Sequence, residues 1–450
     1  MEKQIDTVTC NWFGDICSKP LIRVKPRNAD DLITIIKDED NYPAPVRAVG
    51  SNSSVTRCGV ADKGTLVDMS AMNRIVEINK KTITVEAGAL YVDVVQELQK
   101  QGLQFNINID YGNLAMGTAA CAHTKDGSFP GESGQLCSYA VGMKVVTTDG
   151  EKIEVTEEQP ELLWAMRTSF GLLGIAYEVT FRVEPIKPLA FYHESFSIDE
   201  FIDRFPELKD RGEAMMYYLF PFQDGITVEF RRYRETGQPS DNNAWMMRNL
   251  SQRNIGPWSS RFILKYVPNH TLQNFLIDGN LRLFQALLNR LSSDSSVAAD
   301  QVIRFPERAG SASFTFSLWA FPEDSMKDVF PSYFDFCKEH YEKHGYRTGM
   351  PSSGFRVSQD KHALLSYSHD GPVMTIDPVS SGGPGWSQFM DAYNEFGSRN
   401  GGIPLFNHTP QLSADHVEQA YGERYEAFRD FRQRLDPQNR FLNNYFAELL

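Results

Sequence analysis

The sequence predicts an α+β fold, and three patterns in the chain predict it. In residues 1–188, short apolar strands alternate with amphipathic helices, which indicates mixed layers of helix and sheet. In residues 189–401, longer strand-like runs such as 214–220 and 226–230 predict an antiparallel sheet with helices on one face. Two stretches of small residues, 50–54 and 115–122, indicate places where the backbone approaches another group closely.

The composition is typical of a soluble globular protein. The chain has 450 residues, 41% hydrophobic and 23% charged, which predicts two or three domains with ample core. A net charge of −13 without Lys/Arg clusters argues against nucleic acid or an anionic membrane as partner. No apolar run approaches the length of a membrane span, and the N-terminus lacks an apolar signal core. We therefore expect a cytoplasmic protein without a membrane span.

The cysteines do not form a metal-binding pattern. They lack paired Cys-x-x-Cys spacing, so no zinc site and no other metal site is predicted. Free thiols in a reducing compartment are the default expectation, and pairing of Cys10 with Cys17 stays open.

The first elements follow from local signals. Asn28 precedes two acidic residues and an apolar run, which predicts an N-cap and a helix. Strands are predicted at 46–49, 65–70, 82–87, 141–146 and 175–181. A helix over 91–101 buries Val92, Val95 and Leu98, and Gly102 follows where a C-cap glycine belongs.

The first small-residue run comes directly after a predicted strand. An apolar segment ends at Gly50, and Ser51, Asn52, Ser53 and Ser54 follow. Consecutive N–H groups and hydroxyls in such a turn can converge on one anion. We expect that anion to be a pyrophosphate. The alternative is a serine-rich surface turn.

In the second run, residues 115–122, every side chain except that of Met116 is small. Backbone of this kind can lie flat against a large planar group, because no side chain intervenes. The alternative is a tightly packed junction between a loop and a helix.

The middle of the chain has a different pattern. Strands are predicted at 214–220, 226–230, 313–319 and 363–368, and helices at 326–344 and 388–396. Residues 241–243 and 292–296 are predicted to be exposed loops.

Taken in order and spacing, these segments resemble the FAD-binding domain of the vanillyl-alcohol-oxidase-like (PCMH-type) flavoproteins. The aldonolactone and alditol oxidases are the branch with the greatest resemblance. The chain also ends on Asp436-Pro437, followed by Phe441-Leu442-Asn443 and Tyr445, which resembles the closing signature of that family. The resemblance implies a two-subdomain FAD-binding domain over 1–188, a substrate (cap) domain over 189–401, and a C-terminal segment, 402–450, that returns to the flavin site.

The resemblance also implies which residues bind FAD. Residues 50–54 would lie at the pyrophosphate, residues 117–124 along the flavin, and residues 174 and 175 near the ribityl–adenine part. The implied cofactor-binding residues are Gly50, Ser51, Asn52, Ser53, Ser54, Gly117, Thr118, Ala119, Cys121, Ala122, His123, Thr124, Gly174, Ile175 and Asn443.

One departure from the family pattern concerns the attachment of the flavin. Many relatives carry a histidine, bonded covalently to the flavin, at the position of Ser53. A hydroxyl cannot form that linkage, so we predict dissociable FAD. Cys58 and Cys121 are alternative attachment points, but neither is a position where the family attaches flavin.

The implied catalytic residues are Arg356, His408 and Gln411. Gly354-Phe355-Arg356 matches the family's Glu-x-Arg strand, with the glutamate replaced, so Arg356 is predicted to donate to a substrate oxygen. His408 matches the histidine of a His-Trp-Gly-Lys motif and could take the hydroxyl proton, and Gln411 stands at the lysine. The alternatives are a strand arginine in a salt bridge and a structural histidine. The His369-Asp370 pair is predicted to form a turn, with a role as base as the alternative.

The function predicted from this resemblance is oxidation of a CH–OH group in a sugar-like or other alcohol substrate. Hydride would pass to flavin N5, and dioxygen or another acceptor would reoxidise the flavin. No Gly-x-Gly-x-x-Gly follows a strand, so a bound nicotinamide cofactor is not implied. Two alternatives stay open: a flavin-binding protein with little turnover, and a flavin-dependent NADPH reductase.

Overall fold

The structure is a computed structural model that describes residues 1–5, 7–233, 243–292, 302–303, 305 and 314–450. Parts of three predicted segments lie outside the described residues: 241–242 and 293–296 of the predicted loops, and residue 313 of a predicted strand.

The described part of residues 1–188 contains thirteen short strands. They are β1 (Glu2–Ile5), β2 (Thr9–Cys10), β3 (Cys17–Ser18), β4 (Ile22–Lys25), β5 (Val46–Val49), β6 (Thr65–Asp68), β7 (Ile75–Ile78), β8 (Thr82–Glu86), β9 (Leu103–Gln104), β10 (Ala140–Val146), β11 (Lys152–Thr156), β12 (Ile175–Arg182) and β13 (Glu184–Pro185).

The strands described after residue 188 include the longest of the chain. They are β14 (Leu189–Ser197), β15 (Ala214–Phe220), β16 (Gly225–Tyr233), β17 (Thr315–Phe316), β18 (Trp319–Pro322), β19 (Ser352–Val357), β20 (Val373–Ile376), β21 (Val379–Ser380) and β22 (Ile403–Pro404).

The described α-helices are spread along the whole chain. They are α1 (Ala29–Lys37), α2 (Tyr91–Lys100), α3 (Met116–Cys121), α4 (Pro160–Met166), α5 (Ile198–Asp210), α6 (Asn243–Leu250), α7 (Gly256–Tyr266), α8 (His270–Leu288), α9 (Met326–His344), α10 (Trp386–Arg399), α11 (Ala414–Tyr421), α12 (Glu423–Leu435) and α13 (Asn444–Leu449). No helix in the described ranges is long and apolar enough to cross a membrane.

A four-stranded sheet in the order β1-β4-β6-β5 begins the fold. Strands β4, β6 and β5 are parallel, and β1 is antiparallel to β4. Helix α1 packs Leu32, Ile35 and Ile36 into the core of this sheet. The predicted N-cap is confirmed, because the Asn28 side chain accepts a hydrogen bond from the Asp31 backbone N–H at 2.9 Å.

A second sheet is antiparallel, in the order β11-β10-β12-β8-β7. Helices α2 and α3 contribute buried residues to its core, together with apolar side chains of β8 and β10. Val95 and Leu98 of α2 are buried as predicted, whereas Val92 is half-buried and Val94 is buried in its place. Gly102 follows α2 with φ +72°, the left-handed backbone expected after a helix end.

The third sheet is antiparallel and has seven strands, in the order β14-β16-β15-β19-β20-β18-β22. Helices α5, α9 and α10 pack on one face, against alternate residues of β15 such as Met215 and Tyr217. The intervening residues, Met216 and Tyr218, face the opposite side. This is the predicted arrangement of an antiparallel sheet with helices on one face, and it leaves the other face for the site described below.

Several predicted elements differ in the structure. Residues 363–368 form turns instead of a strand, because their backbone bonds to groups outside any ladder: Leu364 N–H donates to the Trp164 carbonyl, and Arg424 donates to the Ser366 carbonyl. The predicted strand 65–70 ends at Asp68, whose carboxylate accepts from Ser70 N–H and starts a short 3₁₀ turn. Residues 315–319 of the predicted strand 313–319 divide between β17 and the start of β18.

Cys10 and Cys17 form a disulfide, so the default expectation of free thiols is wrong for this pair. The other four cysteines, Cys58, Cys121, Cys137 and Cys337, are free. Because disulfides are rare in reducing compartments, the cytoplasmic location stays a prediction without support from this bond.

The C-terminal segment packs back on the first sheet. Arg440 donates to carbonyls of Ile35, Ile36 and Tyr42, and Phe441 lies in the core beneath α1. The seven-stranded sheet begins with β14 at Leu189, directly after the predicted boundary at residue 188. It also includes β22, which lies beyond the predicted boundary at residue 401. The division into three segments stays a prediction.

Candidate active site

A cavity of about 350 Å³ lies between the free face of the seven-stranded sheet and the two runs of small residues. Residues of β15 and β19 line one side, and the loop after β5 together with α3 lines the other. Asn407 and His408, from the segment after β22, also line it.

The two small-residue runs touch each other beside this cavity. A Cβ added to Gly50 would lie 2.2 Å from the Cβ of Ala115, and one added to Gly117 would lie 2.8 Å from the Cβ of Ala87. Carbon atoms in contact are separated by about 3.5–4.0 Å. A side chain at Gly50 would therefore force the two small-residue runs apart, and one at Gly117 would force α3 away from Ala87.

Most of the predicted cofactor-binding residues line the cavity. Those that do are Gly50, Ser51, Asn52, Ser53, Ser54, Gly117, Thr118, Cys121, Ala122, His123, Thr124, Gly174 and Ile175. Ala119 instead points into the hydrophobic core from α3. Asn443 lies behind the loop, where its side-chain amide donates to the carbonyls of Arg57, Cys58 and Val60. The contacts of all these residues with a cofactor stay predictions.

The loop after β5 is held from both ends of the chain. The Ser54 hydroxyl donates to the Asn407 carbonyl at 2.9 Å, and the Asn11 side chain donates to the Ser54 carbonyl at 3.0 Å. Asn52 has a left-handed backbone with φ +53°. The loop is thus fixed in shape by contacts that are distant in sequence.

Arg47 is a buried cation behind the loop that the sequence analysis does not single out. Its guanidinium donates to the carbonyls of Cys58, Phe170 and Phe441, which belong to three separate segments. Burial lowers the pKa of Arg47 to about 10. A charged residue inside the apolar strand β5 is the sequence signal that could have identified it.

The His123 side chain packs among aromatic rings at the cavity wall. Its Nε2 lies 2.7 Å from the Leu365 carbonyl, so Nε2 carries the proton and donates it. The ring stacks on Phe406 and meets Phe170 edge-on. Burial lowers the pKa of His123 to about 4, and the imidazole is therefore neutral at neutral pH.

We expect the protein to lose stability in acid because of His123. The unfolded chain binds a proton near pH 6.5 and the folded chain only near pH 4, so between these values the unfolded state binds more protons. The free energy of unfolding should fall by about 3 kcal/mol over that interval. Denaturant unfolding of His123→Asn between pH 7 and pH 4 should show a shallower loss, while the exposed-site variant His270→Asn should follow the wild type. Equal slopes for His123→Asn and wild type would contradict the assignment.

The side chains of His408 and Asn407 contact each other through a hydrogen bond. The Asn407 amide donates to the His123 carbonyl at 2.9 Å and presents the same Nδ2 to His408 Nε2 at 3.4 Å. Burial, together with the charge of Lys125, holds the pKa of His408 well below its usual value. The ring is therefore neutral, and Nε2 faces a donor.

An ion pair between Lys125 and Asp377 lies in the cavity, and the sequence analysis missed both residues. The Lys125 ammonium contacts the Asp377 carboxylate and lies 4.9 Å from the Phe355 ring centre. Ser353 Oγ also donates to Asp377, at 3.3 Å. Burial raises the pKa of Asp377, an effect that Lys125 partly offsets. The available signals were a lysine directly after the second small-residue run and an aspartate directly after a buried strand.

Arg356 and Gln411, predicted to be catalytic, lie outside the cavity. Successive residues of β19 face opposite sides, so Ser353 and Phe355 line the cavity whereas Arg356 points away and pairs with Glu323. Gly354 also faces away, and a Cβ there would lie 2.2 Å from the Tyr217 ring. Gln411 is exposed, and its amide donates to Ser387 Oγ at 2.8 Å.

The cavity walls fit a bound polar cofactor and substrate. Asp377 Oδ1, Asn407 Oδ1 and His408 Nδ1 are buried and have no hydrogen-bond partner among the described residues. Leaving a polar atom buried and unsatisfied costs about 1–3 kcal/mol, which a bound polar molecule can offset. No group of three or more metal-ligating side chains was found in the described part of the chain.

Comparison with protein families assigns the two halves of the chain separately. An FAD-binding domain model matches residues 20–156, which include both small-residue runs. A D-arabinono-1,4-lactone oxidase model matches residues 179–449, more than half of the chain. The chain belongs to the D-arabinono-1,4-lactone oxidase family. The resemblance inferred from the motifs is confirmed, and this family member is an FAD-dependent oxidoreductase.

Two curated relatives are similar to this family member over nearly its whole length, and a third over about half of it. L-gulono-1,4-lactone dehydrogenase of Mycobacterium tuberculosis is 24% identical over 98% of both chains. L-gulonolactone oxidase of Mus musculus is 22% identical over 98% of this chain and 97% of its own. L-galactono-1,4-lactone dehydrogenase of Arabidopsis thaliana, a mitochondrial protein, is 25% identical over 51% of this chain and 37% of its own.

Among solved structures, cholesterol oxidase from B. sterolicum has a TM-score of 0.74. At 14% identity it covers 100% of this chain and 97% of that chain, and the likeness concerns the fold alone. The predicted α+β fold, with a PCMH-type FAD-binding domain and an antiparallel-sheet substrate domain, is confirmed for this member of the lactone oxidase family.

Proposed function

We propose that the protein oxidises a CH–OH carbon of a sugar-derived lactone, and that Asp377 accepts the hydroxyl proton. The observation that carries this proposal is the Lys125–Asp377 pair, buried in the cavity with Asp377 Oδ1 unpartnered among the described residues. The lactone class is supported by the names of the relatives, which act on gulono-, galactono- and arabinono-lactones.

FAD, when bound, supplies the acceptor for the hydride. Residues 50–54 and 117–124 would hold it along the cavity. Cys121 is a poor candidate for covalent attachment, because burial raises the pKa of its thiol to about 12 and leaves little thiolate. We therefore keep the prediction that Ser53, in place of a histidine, leaves FAD dissociable.

The Asp377 carboxylate is suited to act as a general base. Its pKa is raised by burial, which brings it towards the working pH and increases its power to take a proton. Lys125 holds the carboxylate in one orientation and keeps it ionised. Ser353 adds a second hydrogen bond to the same group.

His408 would act as a donor in this arrangement. The Asn407 amide is held by the His123 carbonyl, so it offers N–H to His408 Nε2, and the ring proton then sits on Nδ1. Nδ1–H is buried in the cavity and can donate to a substrate oxygen. In this role His408 orients the substrate, in place of taking its proton.

The far walls of the cavity are apolar. Side chains of Phe314, Phe316, Met350 and Val379 line it, and Phe316 lies 5.5 Å from the His408 ring. Such walls favour a substrate that presents a less polar edge opposite its reacting carbon. A lactone with an apolar substituent fits this description better than a fully hydroxylated open-chain polyol.

Anaerobic titration tests the proposed function. Addition of L-gulono-, L-galactono- or D-arabinono-1,4-lactone should bleach the flavin absorbance of the purified protein. Readmission of dioxygen, compared with an artificial dye, then identifies the class of electron acceptor. Bleaching by NADPH but by no alcohol would support a reductase instead, and absence of bleaching by all of them would support a flavin-binding protein with little turnover.

The mode of FAD attachment is tested without any substrate. Acid precipitation of the yellow protein should release the flavin to the supernatant, because Ser53 offers no histidyl linkage. Colour that stays in the pellet would contradict dissociable FAD. The variant Ser53→Ala should release the flavin equally well, since no bond to Ser53 is being broken.

A further inference from the structure

The β2–β3 hairpin, residues 9–18, is closed by a covalent bond. Each of its strands has only two residues, and Cys10 lies directly opposite Cys17, to which it is joined by the disulfide. Inside the hairpin, the Asn11 N–H donates to the Ile16 carbonyl at 2.8 Å. A two-stranded hairpin of this size is at best marginally stable by itself. The shape of residues 9–18 therefore depends strongly on the disulfide.

The side chain of Asn11 connects this hairpin to the loop after β5. Its amide donates to the Ser54 carbonyl at 3.0 Å and to the Asp15 carboxylate at 2.9 Å. Its Oδ1 accepts a hydrogen bond from the Gly14 N–H at 2.9 Å. Two of these three partners belong to the hairpin itself, so the closed hairpin fixes the direction in which the amide reaches Ser54.

The next residue, Trp12, connects the hairpin to the aromatic wall of the cavity. Its ring lies edge-on to those of Tyr111, Phe305 and Phe314, with ring centres 5.9, 6.2 and 4.8 Å apart. All three of these rings line the cavity. Two consecutive residues of the hairpin thus contact both the first small-residue run and the cavity wall.

The disulfide is within reach of small molecules in solution. Cys10 and Cys17 are both half-buried, whereas the free cysteines Cys121, Cys137 and Cys337 are buried. A disulfide is opened by a thiolate that must reach one of its sulfur atoms, so the rate depends on access. The bond that shapes the hairpin is therefore also open to attack.

From this combination we propose that the Cys10–Cys17 disulfide is a redox-sensitive modification site that controls FAD binding: reduction of the bond loosens the β2–β3 hairpin and weakens the hold on FAD. One thiolate of a dithiol attacks either sulfur, breaks the S–S bond, forms a mixed disulfide and releases the other cysteine, which takes up a proton. The second thiol of the dithiol then displaces the bound cysteine. The protein gains two electrons and two protons, and the dithiol becomes a disulfide.

The proposal rests on the predicted position of FAD at residues 50–54, and it does not rest on the oxidation of a lactone. Loss of the closed hairpin removes the fixed direction of the Asn11 amide, and with it the hydrogen bond to the Ser54 carbonyl. Loss of about one hydrogen bond at a binding loop corresponds to a change in affinity of about fivefold to tenfold. FAD should therefore bind more tightly to the oxidised protein.

Thiol titration and FAD release from the purified FAD-loaded protein test the proposal. Denatured protein from air-equilibrated buffer should contain four free thiols, and six after treatment with dithiothreitol, because the chain has six cysteines. Reduction in the dark, with the absorbance spectrum showing that the flavin stays oxidised, should speed FAD release on dilution about fivefold to tenfold. Exchange of the dithiothreitol for oxidised glutathione should restore slow release.

Three variants separate the disulfide from other effects of the reductant. Cys10→Ser combined with Cys17→Ser should release FAD as fast as the reduced wild type, and dithiothreitol should have no further effect. Asn11→Ala keeps the disulfide but loses the contact with Ser54, so it should release FAD rapidly in both thiol states. Cys337→Ala changes a free cysteine in the core beneath α9 and should respond to dithiothreitol as the wild type does. Melting temperatures establish that each variant is folded.

Hydrogen exchange measured by mass spectrometry locates the change within the wild-type protein. Peptides that cover residues 9–18 and 50–56 should exchange faster after reduction, while those that cover β15 should not change. Four results would overturn the proposal: six thiols in the untreated protein, faster exchange confined to residues 9–18, equal FAD release in both thiol states, or a response to dithiothreitol that the double serine variant keeps. None of these measurements depends on turnover, so their failure is distinguishable from failure of the proposed oxidation.

Discussion

Replacement of Asp377 by asparagine should lower kcat/KM for the best lactone by about 10³-fold, with FAD content unchanged. The amide keeps the shape of the side chain but cannot take the hydroxyl proton. Asp377 directly follows β20 and lies outside both small-residue runs, so FAD binding should survive. Steady-state kinetics with the flavin spectrum recorded on the same samples measures both quantities.

Two further variants separate a proton acceptor from a structural carboxylate. Ser353→Ala removes only the 3.3 Å hydrogen bond and should cost less than about tenfold in kcat/KM. Lys125→Met should move the acid limb of the kcat/KM profile to higher pH, because loss of the lysine charge raises the pKa of Asp377 further. If Asp377→Asn retains wild-type kcat/KM, Asp377 is not the proton acceptor and the proposed roles are wrong. If only His408→Asn abolishes turnover, His408 is the proton acceptor instead.

Replacement of Gly50 by valine should weaken FAD binding by about 100-fold. A Cβ at residue 50 would lie 2.2 Å from the Ala115 Cβ, so the two small-residue runs must separate and the cavity between them must change shape. Titration of the stripped protein with FAD, followed by quenching of flavin fluorescence, gives the dissociation constant. Gly50→Ala should give an intermediate value.

Gly142→Ala is the matched control for this prediction. It adds the same carbon in β10, where the nearest atom, Thr180 Cβ, lies 3.6 Å away at an ordinary contact distance. Its dissociation constant for FAD should equal that of the wild type. A Gly50→Val protein that binds FAD normally would show that the close approach of residues 50 and 115 is not needed for the cofactor.

The parts of the site that sequence reasoning found are those with a local signal. A strand that ends in a glycine followed by small polar residues identifies the loop at 50–54, and a run of small residues identifies α3. The same reasoning succeeded for α1, where Asn28 caps the helix it was predicted to cap. In each case neighbouring residues carry the information.

The Lys125–Asp377 pair had no such signal. Its members lie 252 residues apart, so only the folded sheet brings them together. The placement of Arg356 depended on which face of β19 each residue occupies. Because side chains alternate along a strand, an error of one residue exchanges the two faces, and a single sequence does not reveal the register.

Helices α6 to α8 were not assigned because their apolar residues do not form one buried stripe. Part of the apolar surface faces the cavity and part is exposed, so a pattern search for a core-facing helix finds no clear period. The turns at 363–368 were assigned as a strand for the opposite reason. That run is buried and apolar, but its backbone bonds to Trp164 and Arg424 instead of a neighbouring strand.

A crystal structure of the FAD-loaded protein tests the central claim most directly. Density for one FAD should fill the cavity between residues 50–54 and 115–122, with the pyrophosphate at the first run and the flavin ring along the second. Asp377 and His408 should face the remaining space. FAD bound elsewhere, or a cavity that stays free of FAD in a protein that carries the cofactor, would contradict the account.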